Sequence, residues 1–183
     1  MKRLLIPLVV LLGLLTASVA FAAEHSLNEA FRGIPWGTSE GELGSKYGMV
    51  KQNLGSVGNH IVMAELIDVL GNPNTIWLTK PDDSLSMGNV PVKLIQYHTD
   101  NQGKFNKVIM LIDNSYSSAL IQLSQQLLGS EALASPREYM WDLGKVNVYI
   151  QAKPAAISIS QPFLVMSIVR KSDAAIKNQG GGF

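Results

Sequence analysis

The sequence predicts an α+β domain, with one antiparallel sheet of about five to seven strands and two or three helices packed on one face. Three observations lead there. Val92 to Ile112 and Glu138 to Gln151 each read as strand, turn, strand, with β-branched and aromatic residues flanking polar or glycine-bearing turns. Tyr116 to Leu128 carries apolar residues at three- and four-residue spacing, the period of a helix lying on a core. Ser39-Glu40-Gly41-Glu42 has capping-box spacing and opens a second, shorter helix. Helices and antiparallel strands in this proportion are the elements of a layered α+β fold.

Taken in order, the short helix runs from about Ser39 to Tyr47 and stops at Gly48. Gly41 and Gly44 inside it each cost about 1 kcal/mol relative to alanine, so packing through Leu43 and Tyr47 must hold it. Met49 to Gly58 is glycine-punctuated and weakly patterned. Ile61 to Leu70 is apolar apart from Glu65 and Asp68, and is compatible with a helix or a buried strand. Thr75 to Thr79 reads as a strand, and Pro81 to Asn89 as a polar loop. Val92 to Thr99 and Phe105 to Ile112 form a hairpin around Asp100-Asn101-Gln102-Gly103. The main helix is capped by Asp113, Asn114 or Ser115 and closed by Gly129. The hairpin from Glu138 turns at Leu143-Gly144-Lys145. Ile157 to Ser160 offers a short strand, and Phe163 to Arg170 a final one.

The N-terminus reads as an address. Lys2 and Arg3 precede the apolar run Leu4 to Leu15, and Ala20-Phe21-Ala22 fits a small-x-small cleavage site. Residues 1–22 are therefore expected to be a signal peptide, 23–170 a single domain and 171–183 a flexible tail. A bacterial periplasmic or secreted location follows, with no stable membrane anchor after cleavage. Without Lys2 and Arg3, 13 basic residues face 14 acidic ones, a net of −1. That balance excludes a basic nucleic-acid clamp. The absence of cysteine excludes disulfides, thiolate metal sites, a thiol nucleophile and lipid attachment. Phe183 ends the chain as in many outer-membrane barrels. Gly180 to Gly182 and the lack of evenly spaced amphipathic strands argue against that architecture.

Phe31-Arg32-Gly33-Ile34-Pro35-Trp36-Gly37-Thr38-Ser39, a short helix ending in Tyr47-Gly48, and Gly88-Asn89-Val90-Pro91-Val92 together resemble a group of small exported bacterial proteins. Gly103 to Phe105, Leu127 to Gly129 and Tyr139 to Trp141 agree with that group, so the likeness covers about residues 31–170. Two departures are the glycines of the first helix and a longer segment between Gly48 and Trp77. The resemblance implies a fold and a compartment, with no activity attached. A looser likeness links the chain to small α+β lipoproteins of outer-membrane assembly, whose lipid-bearing cysteine it lacks.

Chemistry-bearing patterns are sparse, and the reading is of a non-enzymatic binding or accessory protein without metal, cofactor or catalytic set. His25 lies beside the cleavage site. His60, His98 and Asp100 offer a metal set only if the fold joins them, since no spacing presents two histidines together. Gly55-Ser56-Val57-Gly58 approaches a nucleophile elbow without its first glycine in register, leaving Ser56 with His60 or His98 as a remote hydrolase reading. Gly44-Ser45-Lys46 reverses the order of a phosphate loop. Asp82-Asp83 lacks the ligand spacing of a calcium loop and reads as a solvated turn. Trp36, Trp77 and Trp141 either pack in the core or form an aromatic surface that grips an envelope protein. The alternative role is carriage of a small apolar ligand between sheet and helices.

Overall fold

The computed structural model describes residues 26–53, 76–135, 137–153 and 163–172. The expected signal peptide, the segments Ile61 to Leu70 and Ile157 to Ser160, and the tail from Asp173 lie outside the described residues. The fold is the expected α+β arrangement, with an antiparallel sheet.

In chain order the strands are β1 (Ala30–Phe31), β2 (Ile34–Pro35), β3 (Val50–Gln52), β4 (Trp77–Thr79), β5 (Ser86–Met87), β6 (Val90–Pro91), β7 (Leu94–Thr99) and β8 (Phe105–Asp113). They continue as β9 (Leu133–Ser135), β10 (Glu138–Asp142), β11 (Val146–Lys153) and β12 (Phe163–Arg170). Helix α1 is Glu40–Tyr47 and helix α2 is Ser117–Leu128, the latter entered through a 3-10 turn at Asn114–Tyr116. Eight strands form the main sheet in the order β3-β4-β7-β8-β12-β11-β10-β9, so β8 and β12 lie at its centre. Two small hairpins, β1-β2 and β5-β6, stand apart from it.

Strand alternation sets the inner face. Ile95, Met110, Met166 and Ile150 form one cross-strand row, and Tyr97, Val108, Ile168, Val148 and Trp141 form the next. All are buried and belong to one core cluster, to which α2 adds Leu120 and α1 adds Leu43. The opposite face buries Trp77, Ile109, Leu111, Phe163 and Val165. Burial on both faces explains why Val108 to Ile112 reads as an unbroken apolar run in place of an alternation.

Local signals explain the helix ends. The Ser39 hydroxyl and the Glu42 carboxylate complete the capping box in both directions, and Gly48 closes α1 in the left-handed region at φ 67°. The Ser39 hydroxyl, followed by its backbone amide, holds the Glu42 carboxyl below the usual range. Asp113 accepts from the Ser115 amide ahead of α2, at the 3-10 turn. The short hairpins and the edge strands β3 and β9 have no counterpart in the sequence reading. Two- and three-residue strands carry too few positions for a period to show.

Gly41 lies in α1 with open space where a Cβ would project. Gly41→Ala is therefore expected to raise unfolding free energy by about 0.5–1 kcal/mol. Gly48→Ala, forced into the left-handed region, is expected to lower it by about 1 kcal/mol. Urea denaturation of both variants beside the parent measures the contrast.

Candidate functional site

The sequence candidates are scattered by the fold. Trp77 and Trp141 are each 1% exposed, which corrects the expectation of an aromatic gripping surface at those positions. Trp36 is half-buried, with its ring stacked on Phe105 at 4.6 Å between centroids. Trp36 Nε1 donates to the Leu27 carbonyl (2.7 Å), and Trp141 Nε1 to the Gly129 carbonyl (3.0 Å). These two indoles therefore pin the chain before β1 and the end of α2 to the sheet core.

His98 and Asp100 do not converge. His98 is largely buried on β7, its Nε2 paired with Gln96 Oε1 at 3.2 Å. Burial, followed by the charge of Lys107, pushes its pKa down to about 4. The Asp100 carboxylate instead accepts from the Gln102 and Lys104 amides of its own turn. His25, Ser56 and His60 lie outside the described residues. Among the described residues no three His, Asp or Glu side chains gather as a metal site.

Asp82 and Asp83 part company. Asp82 is a solvated residue paired with Lys80 (2.8 Å). Asp83, 10% exposed at its side chain, accepts from Arg32 Nη1 and from the Tyr97 hydroxyl, which corrects its reading as part of a solvated turn. Arg32 also donates to the Ser84 and Ser86 carbonyls. It occupies the left-handed region (φ 50°) ahead of Gly33 (φ 77°), as a two-residue hairpin turn requires. The guanidinium contacts offset the strain of a non-glycine residue there. Burial, then the hydrogen bond to Asp83, raises the Tyr97 phenol above its usual value, so it stays a proton donor to the carboxylate.

What the fold does assemble is an apolar cavity of about 250 Å³ between α2 and the sheet. Leu27, Phe31, Met87, Leu127 and Met166 supply its walls, and the exposed Ser26 stands where it meets the surface. The tethers above hold these pieces in place. Trp36 holds Leu27, and the Arg32–Asp83 pair joins the β1-β2 turn beyond Phe31 to the loop before Met87. The tip of β5-β6 lies close to α2, since a Cβ on Gly88 would come within 3.4 Å of the Leu123 side chain.

Among the described residues two serines interrupt the apolar lining, Ser26 at the surface and Ser124 in α2. Ser124 is 2% exposed, and its hydroxyl has no hydrogen-bond partner among the described residues. The sequence reading passed over it. Its signal was a serine four residues after Leu120 and four before Leu128, inside the apolar stripe. A larger depression of about 690 Å³ beside the Asp100–Lys104 turn is lined mostly by exposed polar residues, which leaves its occupants in water.

Among known proteins, the chain is similar to a thymidylate synthase of Rhodopseudomonas palustris (strain BisA53), at 27% identity over 157 residues. The match takes in 75% of this chain and 52% of that protein, so the chain spans about half the length of the relative. No family model and no solved structure matches the chain. At that identity and coverage the likeness assigns no family.

Two predictions follow from the buried polar groups. Asp83→Ala leaves the Tyr97 hydroxyl and Arg32 without their shared acceptor, and is expected to cost about 1–3 kcal/mol. Tyr97→Phe removes only the donor and is expected to cost less; chemical denaturation of both variants ranks them. His98 is neutral above pH 6.5 in both folded and unfolded chains. Between 6.5 and about 4 only the unfolded chain takes up the proton, so stability falls as pH is lowered through that window. The loss is on the order of 3 kcal/mol, and His98→Gln is expected to flatten the stability–pH profile between those values.

Proposed function

We propose that the protein is an exported, non-enzymatic binding protein of the bacterial envelope that takes a small apolar ligand between α2 and the sheet. The observation that carries this reading is the cavity of about 250 Å³, with apolar walls drawn from four separate parts of the chain. A dry apolar cavity of about 150 Å³ is enough to hold a molecule of benzene's size. Apolar walls with few polar groups are the usual character of a small-molecule site.

Export rests on Lys2, Arg3, the apolar run that follows and Ala20-Phe21-Ala22. Among the described residues no helix is long and apolar enough to cross a membrane. An envelope-protein partner is the weaker reading, because burial of Trp77 and Trp141 takes away most of the aromatic surface it relied on. The activity named for the Rhodopseudomonas palustris relative stays with that protein, since 27% identity over half its length supports no transfer.

Toluene is expected to raise the melting temperature of the exported protein in a concentration-dependent way. The stabilisation is about 2.7 kcal/mol at a hundred times the dissociation constant. Leu127→Trp, which intrudes on the cavity, is expected to abolish the shift. A melting temperature indifferent to toluene at saturation would remove the cavity reading. Mass measurement of the envelope-fraction protein tests export separately, with a chain starting at Ala23 expected.

A further inference from the structure

We infer that the stretch Ser84 to Asn89 is a flap on the cavity, through which the apolar ligand enters and leaves, and that Arg32 is its latch. The inference rests on the cavity reading above and adds how access to that site is controlled.

The stretch is fixed at both ends and lightly held between them. Ahead of it, the Asp83 carboxylate accepts from the hydroxyl of Tyr97, a residue of β7 in the main sheet. Behind it, Val90 is fully buried in the core cluster. None of the six residues between them is fully buried, and Leu85 is 51% exposed. Among the described residues β5 pairs with β6 alone and adds no rung to the main sheet. That ladder is itself thin, because it has two residue pairs and Pro91 has no amide hydrogen to give. A segment with so few buried contacts opens at a low free energy.

One side chain from another element closes it. Arg32 donates from Nη1 to the Ser84 carbonyl (2.6 Å) and from Nη2 to the Ser86 carbonyl (2.7 Å), gripping the backbone on either side of Leu85. No other hydrogen bond among the described residues joins the stretch to the rest of the molecule outside its own hairpin. The Arg32 backbone lies at φ 50°, where glycine or asparagine would sit with less strain. The guanidinium, and not the turn, accounts for an arginine there.

Met87 follows the second gripped carbonyl, is half-exposed and forms part of the cavity wall. Beyond it the tip approaches Leu123 of α2. A second space of about 160 Å³ lies against Asn89, Gln122 and Gln126, so the tip is not packed tightly on the helix. Met87 can therefore leave the wall while Asp83 and Val90 stay in place. The other way in lies beside Ser26. There the chain is held by Trp36 Nε1 on the Leu27 carbonyl, the Lys145 amide on Asn28 Oδ1 (3.0 Å) and the Lys145–Glu29 ion pair. Those ties come from two separate parts of the chain, whereas the flap is freed when Arg32 alone lets go.

The test measures uptake and release of toluene by the exported protein, using magnetisation-transfer NMR on the parent, Arg32→Gly and Asn28→Ala. Glycine suits the backbone at position 32, so the first variant removes the latch and keeps the turn; Arg32→Asn repeats the measurement with another residue at home there. Arg32→Gly is expected to raise the uptake and release rates together by about tenfold or more, the size of one hydrogen bond to a charged group. The dissociation constant stays within about twofold, because the flap is still mostly closed at equilibrium. A gate moves both rates, whereas a residue that only supports the bound state moves release alone. Asn28→Ala, which loosens the other entrance, is expected to leave both rates as in the parent. Unchanged rates in both Arg32 variants, faster release without faster uptake, or equal acceleration by Asn28→Ala would overturn the flap and leave the cavity reading intact. A parent protein that does not bind toluene would overturn both. The melting temperature of each variant, taken in parallel, establishes that it is folded.

Discussion

The pairing register of β7, β8, β12 and β11 is the constraint on which the rest of the molecule depends. It aligns Ile95, Met110, Met166 and Ile150 across four strands and puts their side chains on one face. A slip by a single residue would turn every one of them to the opposite face. The consequences reach past stability. Met166 is both a member of that row and a wall of the cavity, so the register that builds the core also places the floor of the candidate site. Helix α2 supplies the facing wall through Ser124, Leu127 and Leu128.

Above that floor the site is held by hydrogen bonds from residues with apparent chemical promise. Trp36, Trp141, Asp83 and Tyr97 each bear a group that could serve recognition or catalysis. Each is occupied with tying one chain segment to another. The two small hairpins give Phe31, Ile34 and Val90 to the core, and directed bonds add to that burial. Together the two fix the hairpins and the segment before β1 to the sheet. The Arg32 guanidinium shows the same logic, gathering Asp83 and two carbonyls at a turn that its own backbone would disfavour.

Much of the fold was legible in the residues, and little of the site was. Phe163–Arg170 was read with its observed limits, and α1 with its serine cap and glycine stop, because their signals are local. The hairpin around Asp100 was equally readable. Ser86–Met87, by contrast, falls within Pro81 to Asn89, which reads as a polar loop, and Val90–Pro91 lies between that loop and the strand from Val92 with no element assigned to it. Asp83 was read with Asp82, and no neighbour in the chain could reveal that Arg32, fifty-one residues away, claims one of them.

By itself the sequence determined the class of fold, the β7-β8 and β10-β11 hairpins and the helix boundaries, since strand alternation, helical period and capping act over a few residues. It also put thiol chemistry out of reach, through the absence of cysteine. Tertiary structure alone decided that Trp77 and Trp141 are core, that His98 and Asp100 face different surroundings, and that an apolar space lies between α2 and the sheet. Those outcomes depend on contacts between segments far apart in the chain, and burial is a property of the assembled surfaces that no single segment carries.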